Sequence, residues 1–332
     1  MHGCSESDDA PRSVLHTMGP RNMINTMQMG LERGNHFGVI GSSDHHSAHP
    51  GSYGQGLMGV WASSLTRDSI WQAIQERRTW ALTGDRIELG FFINGEPLGS
   101  VIPYCSYREI EIFVKGSDSL DRMEIVKNNQ ILHRFNFIKR AVIHPGSPMC
   151  GKFFIEVGWG EKDVIQNWDV SVEISGGLIN SIEPRFRGVD ILEPRDEHPQ
   201  KYRLTEWESI NETSVHFKTV TRGNPTTVTN ANQGISLEIE GTLATVVNLR
   251  INGKKVKASL KDLIKGSRSH YLAGFLSGAL HLHRFIPEEE YTTKIKYEDH
   301  SEESSSDFYY VRVAQKNDQW AWSSPIRVSG GI

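Results

Sequence analysis

Two rhythms of apolar and polar positions run along this chain of 332 residues, and the change falls near residue 86. Before it, Met23, Ile24, Met27 and Leu31 recur at three- and four-residue steps, which predicts a helix over residues 18–33. Gly34 follows where a glycine commonly closes a last turn. Phe37-Gly38-Val39-Ile40-Gly41 is a short apolar run suited to a buried strand, and it leads directly into Ser42-Ser43-Asp44-His45-His46. Thr66 then offers an N-cap for a second helix with Ile70, Trp71 and Ile74 on one face.

Past Thr83-Gly84-Asp85-Arg86 the period shortens to two. Ile87 to Leu89, Ile110 to Val114, Met123 to Val126, Phe153 to Val157 and Trp168 to Ile174 alternate as half-buried strands do. Asn94-Gly95, Asn128-Asn129 and Asn252-Gly253 are hairpin-turn signals. Val215 to Phe217, Ile235 to Ile239, Val246 to Ile251 and Tyr309 to Val313 continue the strand pattern, with one amphipathic helix at Leu260 to Ile264. The charged, proline-containing stretch 193–199 reads as a linker, and acidic, serine-rich 298–307 as an exposed loop. The expectation is an α/β portion over 1–86, a β-sandwich domain over 87–192 and a second β-rich domain over 193–332.

A hydrophobic share of 37% with 23% charged residues belongs to a globular chain rather than a disordered one. The formal net charge of -4 gives no bulk attraction to nucleic acid. No apolar run reaches the roughly 18 residues of a membrane span, so neither a nucleic-acid nor a membrane partner is expected. No basic stretch followed by an apolar core opens the chain, and the cytoplasm is the default expectation for compartment. Cys4, Cys105 and Cys150 are too few and too far apart for a disulfide framework or a zinc knuckle.

The sharpest chemical feature is Asp44-x-His46 at the end of the expected strand. Alternation would set the carboxylate and the imidazole on one face, as two ligands of a divalent metal. On spacing alone, a turn-capping Asp44 with solvated histidines accounts for the triplet equally well. The literal His281-x-His283 lies deep in the strand-rich region, where a structural or surface role is expected. Trp61, Trp71 and Trp80 are expected in a core. Trp320 and Trp322 suit a strand's inner face, with an exposed sugar-binding pair as the alternative.

The run from Gly41 to Gly51, with Asp44, three histidines and Pro50-Gly51, resembles the last metal motif of the PHP (polymerase and histidinol phosphatase) superfamily. Leu65-Thr66-Arg67, Thr83-Gly84-Asp85-Arg86, Ile93-Asn94-Gly95, Tyr309 to Val313 and Ala321 to Ile326 resemble a poorly characterised branch of it with an appended β domain. The resemblance implies a partial, distorted β/α barrel over 1–86, followed by β-sandwich-like domains. It implies divalent metal (Zn, Mn or Fe) held by His2, Glu6, Asp44 and His46, and hydrolysis of a small phosphoester substrate. Arg86 could face a phosphate as a bidentate donor, or pair instead with Asp85 or a helix end. The family's opening His-x-His motif does not precede Asp44 here. The expectation is therefore a truncated metal-dependent hydrolase with an incomplete site, weak or inactive as an isolated chain. Its open side would be covered by a second copy or a partner chain over residues 1–86. The alternatives are a non-catalytic β-domain binding or scaffold protein, and one half of a split enzyme completed by another chain.

Overall fold

The structure, a computed structural model, describes residues 4–12, 22–44, 49–188, 205–223, 230–301 and 306–329. Among the described residues it is mostly β, with short helices, and contains no closed barrel. The strands gather into two compact units, neither continuous in sequence. Unit one comprises 1–44, 55–139 and 291–332, and unit two comprises 45–54 and 140–290. The change of rhythm near residue 86 thus lies inside unit one.

Unit one holds an eight-stranded and a four-stranded sheet among the described residues. The central strand of the larger sheet is Asp307–Gln315, buried at every position. It pairs with Leu120–Lys127, Trp320–Ser323 and Ile326–Ser329. In the smaller sheet Tyr107–Lys115 lies between Glu88–Ile93 and Thr292–His300. Alternation does the rest: Ile110, Ile112 and Val114 point inward with Leu89, Phe91 and Ile93, and meet Ile125, Tyr309, Val311 and Val313 from the larger sheet in one core. Each such side chain contributes about 1.5–3 kcal/mol by leaving water. Hairpins close where the sequence signals them, with Asn94, Gly95, Asn128, Asn129, Asn252 and Gly253 all at positive φ.

The expected β/α barrel remnant is not formed. Strands Leu57–Val60 and Thr79–Leu82 are antiparallel neighbours, and the second pairs with Trp320–Ser323 from the far end of the chain. The one parallel pairing among the described strands joins Ile326–Ser329 to Val101–Pro103, away from the presumed barrel. The apolar run 37–41 is not a strand. Its backbone is satisfied by hydroxyls instead: Val39 N donates to Ser324 Oγ at 2.9 Å, and Val39 O accepts from Thr79 Oγ1 at 3.0 Å. Gly41 passes so close to its neighbours that a Cβ there would lie 2.4 Å from Leu57 O and 2.5 Å from Leu82 O. Phe37 and Val39 pack with Leu31, Tyr310, Trp320 and Trp322 in a second, smaller core.

The first expected helix is not continuous among the described residues. Over 18–33 the described part is a 3-10 turn, Met23–Asn25, followed by Met27–Glu32. The second helix, Arg67–Gln75, starts where expected, with Thr66 Oγ1 accepting from Ser69 N. Ala73 is its buried residue, whereas Trp71 is 62% exposed. Trp80 is core, and Trp61 packs against it with ring centroids 5.3 Å apart. Trp320 and Trp322 are buried and stacked at 5.5 Å, which removes the exposed sugar-binding alternative.

Unit two is built from a six-stranded and a five-stranded sheet among the described residues. Phe153, Ile155, Val157, Ile235, Leu237 and Ile239 from the first face Trp168, Val170, Val172, Val215, Phe217 and Leu249 from the second. Two sheets facing across one core make a sandwich-like arrangement of the kind period-two patterning produces, with strands from both sides of residue 192. The helix Leu260–Lys265 buries Leu260 and Leu263 in the same core. The expected linker at 193–199 lies outside the described residues.

Candidate functional site

The sequence-derived metal set divides between what the structure describes and what it does not. His2 and His46 lie outside the described residues. Asp44 is exposed at φ 49°, in a turn conformation rather than at a strand end, so alternation does not set its direction. Glu6 is 2% exposed and fully engaged on protein groups. Its Oε1 accepts from Tyr310 OH at 2.6 Å and Arg312 Nη1 at 2.7 Å, and its Oε2 accepts from Trp322 Nε1 at 2.8 Å. Arg312 also donates to Glu124, which accepts from Arg134 Nε at 2.6 Å. Burial and the Glu6 charge push the Tyr310 hydroxyl far above its ordinary range. Arg86 is exposed, and neighbouring Asp85 is buried and accepts from Gln315 Nε2 at 2.7 Å and Asn317 Nδ2 at 2.8 Å. Among the described residues, no three His, Cys, Asp or Glu side chains are grouped to hold a metal ion. Cys4, Cys105 and Cys150 form no disulfide among the described residues.

A different set does converge, on the outer face of the six-stranded sheet in unit two. Strand Met149–Trp159 turns Phe153, Ile155 and Val157 into the core, which leaves Phe154 and Glu156 on the opposite face. The neighbouring strand Gly278–Leu282 buries Leu280 and Leu282, so His281 shares that outer face. His283 follows, held by a bond from its N to Phe154 O of 2.9 Å.

Glu156 is the centre of the group and only 6% exposed. His283 Nε2 lies 2.8 Å from its Oε2, and Asn232 Nδ2 donates to its Oε1 at 3.1 Å. Burial alone would raise the Glu156 carboxyl, but the His283 bond and charge, Asn232 and Arg187 outweigh it and hold the group below the ordinary range. The His281 ring lies edge-on to that of His283, with centroids 4.4 Å apart, and its Nδ1 is 2.8 Å from Ser269 Oγ. Burial, and then the His283 charge, lower the His281 pKa. The remaining ring nitrogens, His281 Nε2 and His283 Nδ1, have no hydrogen-bond partner among the described residues.

Trp159 borders this group, its ring 6.0 Å from that of His281. Its backbone sits at φ 58°, a conformation uncommon for a bulky side chain and costing of the order of 1–3 kcal/mol. Asn232 fixes it there, because its Oδ1 accepts from Trp159 N at 2.9 Å. The approach needs a glycine at 158, where a Cβ would fall 2.0 Å from Asn232 Oδ1. On the other side Arg185 lies over Phe154 at 4.8 Å and over Tyr53 at 5.1 Å, and Arg187 lies over Tyr53 at 4.7 Å.

The face therefore offers two imidazoles, a hydroxyl, a hydrogen-bonded carboxylate and an indole edge to a polar ligand. The alternating His281-x-His283 was the visible sign of it. Glu156, Asn232 and Ser269 were not legible, because strand order, not sequence distance, brings them together.

Residues 51–98 match the model of a family described as "Protein of unknown function (DUF3604)". An uncharacterized protein of Chlamydia trachomatis serovar D is 30% identical over 151 residues, 40% of this chain and 24% of its own length. One of Chlamydia muridarum is 29% identical over 150 residues, with the same shares. The chain thus matches about a quarter of the length of these curated relatives. No solved structure matches. The resemblance to the PHP superfamily is corrected by these findings together with the fold: the matching family is one of unknown function, and the described residues form no β/α barrel.

Proposed function

We propose that this chain is a binding module, with the outer face of the six-stranded sheet in unit two as its surface for a small hydroxyl-rich ligand of the saccharide class. The observation that carries this reading is Trp159 held at φ 58° beside His281, His283 and Glu156. Strain of this kind gathers at functional sites, where surrounding bonds over-determine it. A bulky indole kept out of relaxed geometry by Asn232 has no use in the core, since Trp159 is only partly buried. An indole covers the C–H face of a sugar ring, while imidazole nitrogens, a serine hydroxyl and a carboxylate bond its hydroxyls. That combination of a few placed polar groups beside an aromatic surface is how small-ligand sites achieve orientation. Glu6 contributes to stability in this reading, since all its acceptor directions named above are filled by Tyr310, Arg312 and Trp322.

Titrating the whole chain with a panel of neutral and acidic oligosaccharides, followed by tryptophan fluorescence and calorimetry, tests this. We expect saturable binding to at least one glycan, with Trp159→Ala and His283→Ala each weakening it at least tenfold, about 1.4 kcal/mol. Absence of binding across the panel, or binding unchanged in both variants, contradicts the proposal.

A further inference from the structure

The charges of unit two are sorted to opposite edges. At one side lie the edge strands Leu178–Arg185 and Glu206–Asn211, brought together where Ile179 N donates to Glu212 O at 2.7 Å. They carry Glu183, Glu206 and Glu208. At the other side lie the edge strands Lys254–Ser259 and Arg268–Tyr271, joined by the helix Leu260–Lys265. Lys254 Nζ donates to Leu272 O and ties the two strands' ends together.

Lys254, Lys255, Lys257, Lys261, Lys265 and Arg268 are all exposed on this second side. Asp262 is the one acidic residue between them, and its carboxylate is taken by Ser259 Oγ at 2.7 Å. In a chain of net charge -4 this is a strong local excess of positive charge. Beside it lie Tyr271, the last residue of Arg268–Tyr271, and Phe275 and Leu276 in the turn that follows, which are 62%, 94% and 59% exposed. Leu276 sits at φ 63°, a strained position for a branched apolar residue.

Lysines on an edge strand also block unwanted strand pairing. That role accounts neither for Lys261 and Lys265 on the helix nor for an almost fully exposed phenylalanine in the turn whose first residue, Leu272, accepts from Lys254. An apolar tip with a basic flank matches the interface of an anionic bilayer. Phe275 and Leu276 would enter the boundary between headgroups and acyl chains, and the lysines would meet the negative headgroups. A nucleic acid would satisfy the lysines but offers no hydrocarbon for Leu276. We propose that this edge of unit two docks peripherally on membrane surfaces rich in anionic lipid. Such docking is independent of a spanning segment, and no helix among the described residues is long and apolar enough to cross a membrane.

Co-sedimentation of the whole chain with vesicles of phosphatidylcholine, and with vesicles containing phosphatidylserine as well, decides the matter. The chain should bind the mixed vesicles and not the neutral ones, and added salt should weaken the binding. Lys255→Gln and Lys257→Gln should each lower the partition constant roughly fivefold. Phe275→Ser should lower it roughly tenfold. All three side chains are exposed, so melting curves should be unchanged and a loss of binding is not a loss of fold. Equal sedimentation with both vesicle types, or binding indifferent to these variants, overturns the proposal. So does a chain that ignores vesicles but binds a DNA duplex.

Discussion

Glu6→Ala is expected to lower the unfolding free energy by about 3–5 kcal/mol, the cost of removing one partner from a buried ion pair. Arg312 keeps its bond to Glu124, but the Nη1 that donated to Glu6 at 2.7 Å loses its acceptor. The Tyr310 hydroxyl and the Trp322 indole lose theirs as well, and all of these groups are buried. Urea denaturation followed by circular dichroism measures the loss. Excess zinc or manganese should restore none of it, since the lost partners are nitrogen and hydroxyl donors. A loss below 1 kcal/mol would mean that Glu6 is not part of the fold's ion network.

Arg108→Ala is the second large effect, again about 3–5 kcal/mol at neutral pH. Arg108 is fully buried and donates to Asp307 and Tyr309, with Asp299 at 3.8 Å. Lys127 Nζ, at 2.8 Å from Asp299, is left as the main counter-charge for two carboxylates. Burial pushes the Asp307 carboxyl up, but bonds from Asn128 and Arg108 hold it below its ordinary value of 3.8. A depressed folded-state pKa stabilises above the unfolded value and is lost as pH falls through the folded one. In the variant the Arg108 share of that contribution is absent, so the gap from the native chain should be widest near neutrality. It should narrow below the ordinary aspartate value of 3.8. Melting temperatures across that range are the measurement, and a gap that widens in acid contradicts this account.

These two networks show where the sequence is mute. Asp299 and Asp307 lie in a stretch that composition assigns to an exposed acidic loop, yet both are buried, because Arg108 and Lys127 arrive from distant strands. Glu6 invites a ligand role only until Tyr310, Arg312 and Trp322 are seen around it. What was legible is local. Period-two alternation located strands such as Tyr107–Lys115 and Ile165–Ser175, Asn-Gly pairs located turns, and Thr66 located a helix start. The run 37–41 misled because an apolar pentapeptide is equally content as an extended segment tied by Ser324 and Thr79 hydroxyls. The barrel was an implication of the family resemblance, in which that run would have been one strand. At the candidate site His281 and His283 were visible as an alternating pair, whereas Glu156 and Asn232 become their neighbours only through sheet order.

The central claim is that this chain works through a binding face rather than a self-contained metal hydrolytic centre. The most direct test is hydrolysis of a chromogenic phosphodiester and phosphomonoester by purified native chain, with zinc, manganese or iron supplied, beside Asp44→Ala. Turnover in the native protein no higher than in the variant, for every metal, is the predicted result. Robust turnover that Asp44→Ala abolishes would show a complete hydrolytic site and contradict the claim.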